Sequence, residues 1–177
     1  MFFETARVIY KAKPRVVFLE NVANLVKNDD GKTFEVILKT LEDIGYHTVY
    51  KVMNAKEYGN IPQQRNRIYI VELKHEKNLN KFKFPDMIPL KQNAFYFFNK
   101  ERQDSKYYMD GHHMWDSMME YMVGRNRVYR FTDWGFSRGM EGIYPTILVA
   151  MGSHFERITF FNDDFSVRLM TPKDAQG

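Results

Sequence analysis

A chain of 177 residues with 44% hydrophobic content suits one domain or one and a half, and no apolar run approaches a membrane span. The cysteine count of 0 excludes disulfides, thiolate metal sites and a cysteine nucleophile within these residues. A net charge of +4 permits nucleic-acid binding without demanding it, and Met1-Phe2-Phe3 carries neither a basic leader nor a cleavage site, so a cytoplasmic location is expected.

The opening stretch sets Phe2, Phe3, Ala6, Ile9 and Tyr10 on one helical stripe. Pro14 biases Lys13 away from helix and closes the element. The short apolar run Val16 to Leu19 then ends in Glu20, and it reads as a strand buried on both faces, as in a parallel sheet. Glu20 stands at the carboxyl end of that strand, where open α/β sheets place their ligands. A half-buried carboxylate there is costly unless it is paired or used; a Glu that turns to solvent is the commoner outcome. Asn28-Asp29-Asp30-Gly31 reads as a loop, with Asp30 or Thr33 as a helix cap. Phe34, Ile37, Leu38, Leu41 and Ile44 keep a helical period to Gly45, which suits a left-handed stop.

Tyr46 to Met53 alternates as a strand and pairs with a second strand, Arg67 to Leu73. Ahead of that second strand, alternation along an extended chain puts Gln63, Arg65 and Arg67 on one face. Two guanidinium forks and an amide at a strand mouth suit phosphate and base edges; a solvated basic loop is the plainer alternative. Strand, helix, strand, loop and strand together form the second half of a doubly wound sheet.

Past Lys74 the chain turns basic and dense in aromatics, without a clean period or an internal repeat. Phe95 to Phe98, Tyr107, Tyr108, Trp115, Tyr129, Phe131 and Trp134 are expected as core, because a small domain needs them to bury area. Arg125, Arg127, Arg130 and Arg138 are candidates for phosphate or guanine contact, with a solvated surface charge as the alternative. Adjacent His112 and His113 beside Asp110 and Asp116, without a thiolate, are not expected to hold a metal.

Several of these stretches, in order, resemble the motifs of the DNA (cytosine-5) methyltransferases. Glu20-Asn21-Val22 resembles the family's Glu-Asn-Val strand end, and Asn54-Ala55-Lys56-Glu57-Tyr58-Gly59 its Asn-Ala-x-Asp-Tyr-Gly. Pro62-Gln63-Gln64-Arg65-Asn66-Arg67 resembles Pro-Gln-x-Arg-x-Arg, and Tyr144-Pro145-Thr146-Ile147 resembles Pro-Thr-Leu-Thr. Arg168-Leu169-Met170-Thr171-Pro172-Lys173-Asp174 resembles Arg-x-Leu-Thr-Pro-Arg-Glu.

The resemblance implies the second half of a Rossmann-like α/β methyltransferase sheet plus a smaller irregular target recognition domain. Residues 1–74 would be part of the catalytic domain, 75–143 the recognition domain and 144–177 a return segment toward the catalytic domain. It implies methyl transfer from S-adenosyl-L-methionine to carbon 5 of a flipped-out cytosine in double-stranded DNA, within a restriction-modification system.

By the same resemblance, Glu20 would bond cytosine N3 and the exocyclic amine, Arg67 the O2, and Arg65 nearby backbone. Asn21 would fix the loop behind Glu20. Gln63, with Arg125, Arg127 and Arg130 by their position, would contact DNA, and Met1 would lie near the cofactor's adenine. Arg168 and Thr171 would brace the recognition-domain junction. The family's Phe-x-Gly-x-Gly cofactor turn, its Pro-Cys nucleophile motif and its final Asn-Ser-Val helix start do not occur in these residues. The chain is therefore expected to be a carboxyl-side piece, cut at both ends and inactive alone, with a second chain carrying the missing motifs as partner. A misassigned gene fragment or a non-catalytic DNA-binding relative is the alternative.

Overall fold

The computed structural model describes residues 2–132, 135–147 and 159–174; the expectations for Met1 and Trp134 lie outside them. The elements in chain order are α1 (Phe2–Ala12), β1 (Val16–Val22), α2 (Lys32–Asp43), β2 (His47–Asn54), α3 (Ala55–Tyr58), β3 (Gln63–Gln64) and β4 (Asn66–Leu73). They continue with α4 (Trp115–Tyr121), β5 (Arg127–Thr132), β6 (Gly135–Glu141), β7 (Tyr144–Pro145), β8 (Thr159–Asn162) and β9 (Val167–Leu169), joined by loops and 3₁₀ turns. By contacts this mixed α/β chain divides into two compact units: Met1–Gly59 with Asn66–Ile88, and Asn60–Arg65 with Pro89–Gly177.

The first unit is a 3-stranded sheet in the order β1-β4-β2, with both ladders antiparallel. Helices α1 and α2 pack on one face. Ile9, Ile37, Leu41 and Tyr46 gather with Val17 and Leu19, and Phe34 meets Ile68 and Ile70. Leu41 is 0% exposed, and burying such a side chain stabilises by about 1.5–3 kcal/mol. The predicted α2 period holds through Phe34, Ile37 and Leu41, and Gly45 takes the left-handed φ of 88° that ends the helix.

Three readings of this unit need correction. β1 is not buried on both faces: Val17 and Leu19 turn toward the helices, while Val16 and Phe18 are 54% and 63% exposed. Among the described residues its only ladder runs to β4, so its other edge is unpaired there. Neither Asp30 nor Thr33 caps α2; Asp29, Asp30 and Gly31 take φ of 52°, 52° and 88°, which delivers Gly31 to the cap position without a side-chain acceptor. On α1, Ala6 and Ile9 are buried, but Phe3 and Tyr10 are 66% and 61% exposed.

The second unit holds a 4-stranded sheet in the order β6-β5-β8-β9 and the parallel pair β3-β7. Alternation gives the larger sheet two cores. Val128 and Phe161 pack with Ala94, Phe98 and Tyr144, while Tyr129 and Phe160 pack with Met109, Met118 and Val167. Phe98 and Tyr129 are core as expected, whereas Tyr96 is exposed and Phe97 partly so. β5 and β6 shift register between Arg127 and Tyr129. Gly139 is required there, since a Cβ would come within 2.6 Å of the Val128 carbonyl oxygen.

Candidate functional site

Residues 16, 18, 20 and 22 of β1 share one face with residues 73, 71, 69 and 67 of β4, because side chains opposite each other on a ladder point the same way. Glu20 lies opposite Tyr69 and is thus the diagonal neighbour of Arg67, a spacing that long side chains bridge. Arg67 Nε donates to Glu20 Oε1 at 2.6 Å. Arg67 is 17% exposed and Glu20 46%, so the cation is largely held by the sheet while the carboxylate stays accessible. Arg67 Nη1 also donates to the Asn66 carbonyl oxygen at 3.0 Å, and the Phe18 and Tyr69 rings lie alongside, 5.6 Å apart. Asn21 is exposed, and its Oδ1 accepts from the Val22 N–H at 2.8 Å, which fixes the backbone just past Glu20.

Gln63 and Arg65 belong to the second unit. The extended run does not form one strand through Arg67: Gln63 and Gln64 pair with Tyr144 and Pro145, the ladder stops at Arg65, and Arg67 belongs to β4. The shared face predicted for Gln63, Arg65 and Arg67 is therefore interrupted by the change of sheet. The Tyr144 N–H donates to the Pro62 carbonyl oxygen at 2.8 Å and Thr146 Oγ1 to the Gln64 carbonyl oxygen at 2.6 Å. Two sequence motifs thus meet at this pair. Asn54 caps α3, accepting from the Lys56 N–H at 3.2 Å while its Nδ2 donates to Asn66 Oδ1 at 2.7 Å.

The candidate arginines differ in how engaged they are. Arg125 lies 3.8 Å from Asp164 with both side chains exposed. Arg127 donates to the Gly139 carbonyl oxygen at 2.9 Å and approaches Glu141 at 3.6 Å. Arg138 stacks on the Tyr121 ring and donates to the Tyr121 carbonyl oxygen. Arg130 is half-buried and has no carboxylate partner among the described residues.

Arg168 is 0% exposed. It donates to Asp174 at 2.6 and 3.2 Å, to Asp163 at 2.8 Å and to the Asn99 carbonyl oxygen at 3.0 Å, over the Phe161 ring. Thr171 donates to Asp174 through both its N–H and its hydroxyl. The three residues stand in one motif, from which only a bracing role for Arg168 and Thr171 at the recognition-domain junction is expected; the bonds seen here run within the second unit. Asp163 and Asn99 were not signalled by any pattern.

A family profile for the C-5 cytosine-specific DNA methylases matches residues 1–136. The chain is 36% identical over 178 residues to the Type II methyltransferase M.Bsp6I of Bacillus sp. (strain RFL6), covering 99% of this chain and 56% of that protein. It is 42% identical over 95 residues to the Type II methyltransferase M.HhaI of Haemophilus parahaemolyticus, covering 54% of this chain and 28% of that one. Among solved structures, the Entamoeba histolytica methyltransferase EhMeth shares the fold with a TM-score of 0.55 at 17% identity, over 96% of this chain and 53% of its own. The chain thus spans about half the length, or less, of these curated relatives.

Proposed function

The chain belongs to the C-5 cytosine-specific DNA methylase family, and we propose that within this chemistry its Glu20 and Arg67 hold the target cytosine in double-stranded DNA. The observation that carries the reading is the 2.6 Å pairing of the two side chains at the end of β1. Carbon 5 of cytosine is a poor nucleophile. A thiolate that adds to carbon 6 converts the ring to an enamine able to attack a methyl sulfonium, and addition is easier when the positive charge developing at N3 is stabilised. The Glu20 carboxyl would bond N3 and the exocyclic amine, and Arg67 the O2, with the base swung out of the stack. Gln63 and Arg65, with Arg125, Arg127 and Arg130, would hold the DNA. Similarity to Type II methyltransferases supports a role in restriction-modification.

None of the 177 residues is Cys, so the thiolate has to come from other polypeptide, and these residues alone would not transfer methyl groups. S-adenosyl-L-methionine would supply the methyl. A cavity of about 300 Å³ beside the start of α1 has Phe2, Phe3, Val36 and Ile37 as an apolar wall and Asp29 as its one carboxylate. That wall suits an aromatic ring but cradles no methionine moiety, so the described residues do not by themselves fit the cofactor. A second chain is also supported by β1, whose second edge is unpaired among the described residues and whose Val16, Phe18 and Val22 are 54%, 63% and 51% exposed.

The test mixes this chain with a polypeptide carrying the Cys motif and the cofactor turn, and follows tritiated methyl incorporation into duplex DNA. Transfer is expected only with both components. Glu20→Gln keeps the size and loses the acid, which should lower turnover about a hundred- to a thousandfold, or roughly 2.7–4 kcal/mol, with far less effect on DNA binding. An unchanged rate would make the carboxylate structural and the assignment wrong. The absence of Cys also favours a second reading, DNA binding without catalysis; tight binding with no partner ever restoring transfer would decide for it.

A further inference from the structure

Among the described residues, four buried side-chain atoms have no hydrogen-bond partner: Gln64 Oε1, Arg130 Nε, Tyr144 OH and Thr159 Oγ1. Native proteins leave few such groups, and each calls for an explanation. Three of these four are neighbours in the second unit. Arg130 of β5 lies directly opposite Thr159 of β8, so both side chains leave the same face of the sheet. That is the face of Val128 and Phe161, against which Tyr144 packs. Burial pushes the Tyr144 phenol up and the Asp174 carboxylate adds to this, while the Thr159 hydroxyl and Arg130 act the other way; the Tyr144 OH makes no aligned hydrogen bond. Tyr144 and Thr159 are 4% and 6% exposed, Arg130 is half-buried, and Ser137, on its other side in β6, is exposed. The group therefore has a buried floor of two hydroxyls and a guanidinium at its surface end.

We propose that Arg130, Tyr144 and Thr159 form a preformed pocket for one oxyanion, a phosphodiester oxygen of the bound DNA. A guanidinium N–H and two hydroxyls, each able to turn its O–H toward one anion, stand together here, and three such donors are the chemistry of a phosphate site. Among the described residues the cation also has no carboxylate partner. A water molecule would satisfy the hydroxyls but not the charge. Burial holds the Arg130 guanidinium below its ordinary value, with the Tyr144 phenol acting against that shift; a bound anion would restore it. The other candidate arginines contrast with it, since Arg125 and Arg127 already face carboxylates. The assignment of the anion to DNA rests on the methyltransferase reading; the pocket itself does not.

The experiment uses the full chain and measures duplex DNA affinity over a series of salt concentrations. Arg130→Gln should weaken binding by a similar factor across unrelated duplex sequences and reduce the slope of log affinity against log salt by about 0.9, the loss of one phosphate contact. Arg130→Lys should keep the slope and lose affinity, since the charge survives and the fork does not. It also carries the test if Arg130→Gln fails to fold. Tyr144→Phe should lose affinity at constant slope. In parallel, melting is compared in inorganic phosphate and in chloride at equal ionic strength; phosphate should raise the Tm of the wild-type chain and not of Arg130→Gln. An unchanged salt slope in Arg130→Gln would overturn the DNA-phosphate site even if methyl transfer is restored by a partner. A phosphate response without DNA binding would keep the anion pocket and remove DNA as its source. Equal melting responses together with an unchanged slope would overturn the pocket altogether.

Discussion

Replacing Asp174 by Asn removes one charge from the most buried ion pair of the second unit. The side chains of Arg168 and Asp174 are both 0% exposed. Asp174 Oδ2 accepts from Arg168 Nη1, from the Thr171 N–H and from Thr171 Oγ1 at 2.6, 2.8 and 2.7 Å. Its Oδ1 accepts from the Asn99 N–H and Arg168 Nη2 at 2.7 and 3.2 Å. An amide keeps the shape, but its NH₂ turns one acceptor into a donor aimed at donors. Truncating one side of a buried pair costs about 3–5 kcal/mol. Arg168 keeps Asp163 at 2.8 Å, which puts the expectation at the lower end, about 3 kcal/mol.

The assay is a urea titration followed by tryptophan fluorescence, with a lower midpoint and an unchanged slope. Replacing both partners with apolar residues, Arg168→Met with Asp174→Leu, should not recover the loss, because the Thr171 and Asn99 N–H groups and the Asp163 carboxylate then lose their partners. Burial pushes the Asp174 carboxyl up, but hydrogen bonds from Arg168, Thr171 and Asn99 outweigh it and hold the group below its ordinary value. A depressed folded value means stability present above the unfolded carboxylate range and lost as pH falls through the folded one. The gap between wild type and Asp174→Asn should therefore narrow below about pH 4. A loss under about 1 kcal/mol, or a gap that persists in acid, would refute the assignment of this network as the unit's electrostatic anchor.

Two further outcomes concern the first unit. Glu72 is 0% exposed, and its carboxylate oxygens accept from the Thr48 hydroxyl at 2.9 and 2.8 Å. Burial pushes this carboxyl up against the opposing effects of Thr48 and His47. A raised folded value means stability present below the unfolded range and lost as pH rises through the folded one, so Glu72→Gln should melt higher than wild type at pH 8 and near it at pH 4; the reverse order would contradict the burial argument. The apolar free edge of β1 should make the isolated chain self-associate, and Phe18→Lys should reduce this in sedimentation velocity, since a charged edge resists strand addition. A wild-type chain that stays monomeric at high concentration with a sharp melt would count against an edge built for a partner.

The parts of the fold legible in the sequence are those set by local periodicity. Phe34, Ile37 and Leu41 mark α2 wherever it packs, and the β2 and β4 strands announce themselves by alternation and an apolar run. β1 was misread because a strand's burial depends on how many neighbours its sheet provides, and Val16 to Leu19 look the same with one neighbour as with two. The strands of the second unit were illegible for a different reason. Tyr129 and Phe160 feed one core while Val128 and Phe161 feed the other, so apolar residues stand on both faces and the alternation disappears. At the site, Glu20 and Arg67 were readable through their motifs. The bonds of Arg168 to Asn99 cross 69 positions, and the lack of a partner for Arg130 among the described residues is a property of its surroundings, which no local pattern carries.

The Glu20–Arg67 bridge sets the cost of admitting a base. If cytosine N3 is to reach the carboxyl, Arg67 has to give up its bond to Oε1 or share it. Glu20 is 46% exposed and Arg67 17%, so the pair is worth somewhat more than the ~0.2–1 kcal/mol of a fully exposed bridge. Stabilising the charge that develops on the base is worth roughly 2.7–4 kcal/mol. Breaking the bridge is thus the smaller quantity, and the exchange favours the base in the transition state more than in the resting complex. Until then Arg67, 17% exposed and braced by the Asn66 carbonyl, keeps the carboxylate at the strand end. On the proposed function the bridge would act as a placeholder, orienting Glu20 while the base is absent and yielding at little cost when the base arrives.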